Sequence, residues 1–274
     1  MTQTLSKYLL DHLNEQINKF DLQPWREQIE AIARPAFLIP VQRASGEMPI
    51  GATRLGGTPD LPHGFAWPVA DSDEEYEADD PQFLTFIGQV NIADVKGLWP
   101  ELPETGVLSF FATAEDAENP NCVLYFDESS EPLIRYEDRP DGTYADDCQD
   151  GAFDPLEVLE FVPVVSLPGH CDWVEGRDDF VNEGHADRFD ELSRQLTSYP
   201  EQREPVSRIG GHVYSIHGGE ADDDNWQSLL QVESYFSDGV EMNFWDAGFQ
   251  KLIAQSLRLV DGRIPTTRAV VESM

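Results

Sequence analysis

The residues best suited to chemistry in this chain are carboxyls and amides set in or beside apolar runs: Asp60, Gln89, Gln231, Glu233 and Asp246. Buried amides and carboxyls require hydrogen-bond partners, so each demands a polar neighbour where it folds inward. Two roles compete. In one, the five line a small-molecule pocket where two Gln-bearing strands meet rigid loops, and Glu233 and Asp246 work as general acid and base, which requires burial or like charge to push their pKa values apart. In the other, they tie loops to sheets through hydrogen bonds to backbone. The chain has no Gly-x-Ser-x-Gly, phosphate-binding loop, His-Glu-x-x-His or dinucleotide fingerprint, so no catalytic residue and no cofactor is assigned.

Metal chemistry has no better support. His212 and His217 are five apart and point to opposite faces of a straight strand. His170-Cys171 lacks a second pair at zinc spacing. The acidic run from Asp71 to Asp80 lacks the glycine of a calcium loop, which leaves room only for weak binding. No metal ligand is assigned.

The elements that must position these groups show a pattern that occurs twice. Arg54-Leu55-Gly56-Gly57 precedes an apolar run ending at Gln89-Val90-Asn91, and seventeen residues after Gln89, Gly106 opens the run Val107 to Ala112. Arg208-Ile209-Gly210-Gly211 precedes Leu229 to Ser234, and seventeen residues after Gln231, Gly248 opens Phe249 to Ala254. The shared order predicts two related halves, about 36–165 and 200–260, around one pseudo-symmetric core. Chance recurrence of Gly-Gly pairs is the competing explanation.

Residues 1–35 read as a helical segment packed on that core. Leu5, Leu9, Leu13, Ile17 and Phe20 recur at helical spacing, and a second helix starts at Pro24, buries Trp25, Ile29 and Ile32, and stops before Pro35. From residue 36 the character changes to short β-branched and aromatic runs over 36–41, 84–90, 107–112, 122–126, 133–136, 158–165, 213–217, 229–232, 240–245 and 249–253, with one helix over 187–196. Strands in runs, not alternating with helices, predict an α+β fold with two N-terminal helices followed by largely antiparallel sheets, and 36–274 as one α+β domain. Two connections look rigid. Residues 56–68 hold three prolines and three glycines, and Phe65 and Trp67 either plug a pocket or form the core of a compact loop. Asp246, just before Ala247-Gly248, suits a turn-capping role.

Charge bounds the partner. The 52 acidic against 18 basic residues leave a formal net charge of −34, far beyond the ~2–8 units usual for a small domain. Phosphate binding depends on basic clusters, so neither nucleic acid nor a membrane surface is expected as a partner; a basic protein is. The acids bunch at Asp71, Asp73, Glu74, Glu75, Glu77, Asp79 and Asp80, and again at Asp222, Asp223 and Asp224. These are the expected contact residues, attracting a cation at long range and accepting hydrogen bonds from Arg or Lys. A plain solvated loop competes with that reading, as does salt adaptation, because four lysines against fourteen arginines resemble the usage of halophilic proteins. Cys122, Cys148 and Cys171 carry no C-x-x-C spacing and fit reduced thiols, with pairing of two of them left open. No apolar leader and no run of eighteen apolar residues is present, so a cytoplasmic location is expected.

Taken together, Leu55 to Pro68, Leu84 to Asp94, Leu102 to Phe111, Leu229 to Ser234 and Trp245 to Gly248 resemble the YwqG-like family of bacterial proteins of unknown function, in the family's order. The chain departs from it in its acidity and at Phe244-Trp245-Asp246-Ala247-Gly248, where Trp-Gly-Asp-Ala-Gly is usual. The resemblance implies an α+β fold, and some members resemble immunity proteins encoded beside polymorphic toxins. The resulting expectation is a cytoplasmic acidic interaction protein, an immunity-type inhibitor of a cationic toxin or effector. The alternatives are a small-molecule-binding protein or uncharacterised enzyme with a polar pocket between the halves, and a salt-adapted protein of another role.

Overall fold

Leu9, Leu13 and Ile17 fall on one side of helix α1 (Lys7–Lys19) and are buried there. The helix begins where the Ser6 hydroxyl accepts a hydrogen bond from the Leu9 N–H at 3.3 Å, satisfying one of the donors that a helix start leaves open. The computed structural model describes residues 5–70, 83–113, 120–136, 154–168, 184–198, 206–213, 226–237, 240–244 and 247–272. Pro24 lies in a 3-10 turn (Gln23–Trp25), and helix α2 (Arg26–Ile32) follows it, burying Ile29 and leaving Trp25 and Ile32 half-buried. Helix α3 (His185–Leu196) buries His185, Phe189, Leu192 and Leu196 along one stripe. The three stripes meet in a single apolar cluster with Val165 and Leu167. No helix among the described residues is long and apolar enough to cross a membrane.

Strands β1 (Arg34–Leu38), β10 (Val162–Ser166), β11 (Arg208–Gly210), β12 (Gln227–Glu233), β15 (Phe249–Ala254) and β16 (Thr267–Glu272), numbered in chain order, form a sheet in the order β10-β1-β11-β12-β15-β16. A second sheet runs β2-β9-β3-β5-β6-β7, from β2 (Val41–Arg43), β3 (Arg54–Leu55), β5 (Thr85–Asn91), β6 (Val107–Ala112), β7 (Asn121–Phe126) and β9 (Leu156–Val158). Two short pairs complete the described strands: β4 (Asp60–Pro62) with β8 (Leu133–Arg135), and β13 (Tyr235–Ser237) with β14 (Val240–Met242). All these pairings are antiparallel, and the fold is α+β.

Alternation along the strands sorts two faces. Ile209, Leu230, Val232, Leu252 and Val271 of the first sheet share one buried core with Leu55, Val90, Leu108, Phe110 and Leu156 of the second. Arg208, Gln231 and Lys251 are register partners, as are Arg54, Gln89 and Ser109. Being one residue out of step with the core-facing set, they occupy the opposite face of each sheet. Over the second sheet that outer face is closed by the 56–70 segment. Trp67 donates from Nε1 to the Leu84 carbonyl at 2.7 Å, and Phe65 meets Phe126 edge-on at 5.2 Å. These two rings therefore pack onto the outer face of the sheet, against Phe86, Phe111 and Phe126.

The sheets repeat one another in detail. Arg54 opposes Gln89 as Arg208 opposes Gln231. A bulge interrupts β5 between Phe86 and Gly88 and β12 between Ser228 and Leu230, each just ahead of the glutamine. Thr53 Oγ1 accepts from the Asn91 N–H at 2.9 Å, and Ser207 Oγ accepts from the Glu233 N–H at 3.0 Å. Gly56 and Gly57 have φ of 62° and 72°, and Gly210 and Gly211 have 75° and 82°, a region that costs glycine nothing and other residues strain.

The single strands expected over 36–41 and 158–165 are corrected: each is two strands, and the pieces join different sheets. β1 ends before Ile39-Pro40, and the chain continues as β2 in the second sheet; β9 ends at Val158, and the chain continues as β10 in the first. Pro40 has no N–H for a ladder and marks the first break. Each sheet thereby gains an inserted strand, β1 between β10 and β11 and β9 between β2 and β3.

Candidate functional site

The Gly56-Gly57 turn folds the chain back so that Asp60, fully buried, lies under Arg54 at the end of β3. Its carboxylate accepts from Arg54 Nη1 at 2.7 Å, Arg135 Nε at 2.8 Å, the Gly51 N–H at 2.8 Å and Gln89 Nε2 at 2.9 Å. Gln89 Oε1 takes the Asp60 N–H at 3.1 Å, and Gln89 Nε2 also donates to the Ala52 carbonyl at 2.9 Å. Arg54 Nη2 reaches the Thr58 carbonyl. Burial alone would raise the Asp60 pKa, but the hydrogen bonds from Arg135 and Arg54, the Arg54 charge and the Gly51 amide outweigh it and hold the carboxyl at about 2. With this many donors the cluster is a buried ionic latch that ties strands β3, β4, β5 and β8 to the Gly51-Ala52 segment.

The corresponding place in the first sheet is differently filled. Arg208 Nη2 donates to Gln231 Oε1 at 2.8 Å and lies 3.4 Å from the His212 carbonyl, four residues on, as Thr58 is from Arg54. Gln231 Nε2 donates to Glu233 Oε1 at 2.5 Å. Burial raises the Glu233 carboxyl to about 7, because the Gln231 bond and the Arg208 charge oppose burial without overcoming it. Lys251, the register partner of Gln231, is buried and ion-paired with Glu272. The backbone of His212 donates to Ser166 Oγ at 3.0 Å, and its Nε2 lies 2.7 Å from the Ile32 carbonyl. Burial, aided by the Arg34 and Arg208 charges, lowers the ring to about 3, so it is neutral and donates from Nε2.

A family model described as Domain of unknown function (DUF1963) matches residues 53–260. The chain belongs to this family. No curated protein matches it. The DUF1963 match takes in both Arg–Gln clusters and leaves out α1, α2, β1, β2 and β16. In this DUF1963 chain the four pocket residues that can be placed fall into two pairs. Asp60 joins Gln89, and Gln231 joins Glu233. The pairs lie on the outward faces of different sheets with the apolar core between them. Asp246 lies outside the described residues, as do Asp71, Asp73, Glu74, Glu75, Glu77, Asp79, Asp80, Asp222, Asp223 and Asp224, and also His170, His217, Cys148 and Cys171. Sequence reasoning missed Arg54, Arg135 and Arg208 as partners of these acids and amides, and the Lys251–Glu272 pair. Lys251 carried a local signal, a rare lysine inside an apolar strand run.

Proposed function

We propose that this DUF1963 chain is a YwqG-like interaction protein of the bacterial cytoplasm that binds a basic protein, most concretely as an immunity-type inhibitor of a cationic toxin or effector. The observation that carries the reading is the balance of 52 acidic against 18 basic residues. Bases are, moreover, engaged within the fold: Arg54 and Arg135 with Asp60, Arg43 with Asp154, Lys96 with Glu104, Arg194 with Glu191 and Lys251 with Glu272. A field of one sign speeds encounter with a cation. The bunched acids at Asp71 to Asp80 and Asp222 to Asp224 are assigned as the contact residues. The test is affinity capture from the host lysate at low and high salt with mass spectrometry. One stoichiometric basic partner, with association slowed by salt, is expected. Reversing Asp71, Asp73, Glu74 and Glu75 to Lys should slow that association about tenfold or more at low salt. Rates indifferent to both salt and charge reversal would sink the reading.

The Glu233 carboxyl favours a second reading, a small-molecule binder or enzyme. A buried acid held at about 7 beside Arg208 and Gln231 is suited to proton transfer near neutrality. Its site would be the outer face of the first sheet. Loss of a discovered activity in Glu233→Gln, with folding intact, would support it.

A further inference from the structure

The loop from Ala44 to Thr53 joins β2 to β3, and because β9 lies between those strands, the loop has to arch over β9. One foot is fastened by the Ala44 N–H to the Pro155 carbonyl at 2.9 Å and by Arg43 to Asp154 at 3.0 Å. The other is fastened by the Gly51 N–H to Asp60 at 2.8 Å. Between arch and strand is a cleft of about 320 Å³, at the small end of the ~300–1,000 Å³ range of ligand pockets. Its lining is of two kinds: Met48, Val158 and Phe161 are apolar, Glu47, Asp94 and Glu157 carry carboxyls, and no lysine or arginine lines it among the described residues. Two of the carboxyls are held in place, Asp94 by Thr53 Oγ1 at 2.6 Å and Glu157 by Gln42 Nε2 at 2.5 Å.

An anion is repelled by such a lining, and a neutral apolar group leaves its negative charge uncompensated. A cation on an aliphatic stem suits both kinds of lining residue, the stem against the apolar ones and the charge against the acids. We propose that the cleft beneath the 44–53 arch takes the side chain of an arginine or lysine presented by a basic protein partner. The protein source follows from the acid surplus of the chain outside the cleft, from which a whole basic surface gains and a free amine gains little. The inference rests on the interaction reading above and locates an anchor for it.

The experiment is a chemical-shift titration of the labelled full-length chain with N-acetyl-arginine N-methylamide, using the citrulline analogue as an uncharged near-isostere and guanidinium chloride as the charge without a stem. Saturable shifts confined to residues 45–53, 94 and 157–161 are expected with the arginine derivative alone. Glu157→Gln should weaken it roughly fivefold to tenfold, and Asp94→Asn, at a residue off β9, gives a second measurement should the first variant disturb that strand. Equal binding of the citrulline analogue, or non-saturating shifts spread over the acidic surface, would overturn the proposal. Binding of 1,4-diaminobutane more than ten times tighter than the arginine derivative would overturn the protein source in favour of a free amine. No partner enters this titration, so it can fail while salt-sensitive capture succeeds, and succeed while capture fails.

Discussion

Asp60 and Glu233 belong to two clusters built on the same Arg–Gln strand pair, yet one carboxyl is held at about 2 and the other at about 7. The Arg–Gln strand pairs themselves match in register, bulge and glycine turn. Burial pushes both upward. The difference is in donors: Arg54, Arg135, Gln89 and Gly51 all point at Asp60, whereas Glu233 receives Gln231 and feels Arg208 as a neighbouring charge. The carboxyls also enter from different elements, Asp60 from β4 beyond the glycine turn and Glu233 from the β12 position that Asn91 holds in β5, so matching Arg–Gln pairs are served by acids from different places in the chain. One cluster is a latch; the other keeps a group able to change charge near neutrality.

The sharpest way to break this comparison is Asp60→Ala, which strands the buried Arg54 and should cost about 3–5 kcal/mol in denaturant unfolding. A cost under 1 kcal/mol, by the order of magnitude of an exposed pair, would show that the latch is no latch. The pH response should differ in sign between clusters. Asp60 is depressed when folded, so its contribution is present above its unfolded value of 3.8 and is lost as pH falls toward about 2. Glu233 is raised, so its contribution is present below 4.5 and is lost as pH rises through about 7. Glu233→Gln should therefore gain stability over the parent on going from pH 5 to pH 8, conditions on either side of that value near 7; parallel curves would contradict it. Gln89→Ala should cost about 1–3 kcal/mol by leaving Asp60 and Ala52 groups unanswered, and Gln231→Ala less, since fewer bonds depend on it. One effect is shared: Gly57→Ala and Gly210→Ala, at φ of 72° and 75°, should each cost at least the roughly 1–2 kcal/mol that positive φ does for any side chain, since the added Cβ also meets Pro155 at 3.0 Å and Leu98 at 2.8 Å.

Periodicity reads what is local. The helical stripe of Leu9, Leu13 and Ile17 and strands such as Val107–Ala112 stand where the pattern puts them, because burying one face is decided within a few residues. Asp60, Gln89, Gln231 and Glu233 were legible for the same reason, as polar residues in apolar surroundings. Their partners were not. Arg135 lies 75 residues from Asp60 and is delivered by the β4–β8 pairing, which no local spacing encodes. The strand breaks divide likewise: Pro40 announces the first, while Leu159, Glu160 and Phe161 at the second include neither proline nor glycine, and only the change of sheet reveals it.

The insertion of β1 into a sheet otherwise drawn from residues 162–272 also governs how the molecule is made. On a ribosome β1 emerges early, but Arg34 has to wait for Ser166 and Leu38 for Val162 before either has a neighbour, Leu38 gains its second only with Arg208, and Arg54 waits for Glu157 on one side. The β5–β6–β7 meander can zip up as it appears, since its pairings are between successive strands. Pairings that close such long stretches of chain are slow. The second sheet draws all its strands from residues 41–158 and has its partners once β9 emerges, whereas β1 stays open until β10 and β11 follow, so the first sheet closes last.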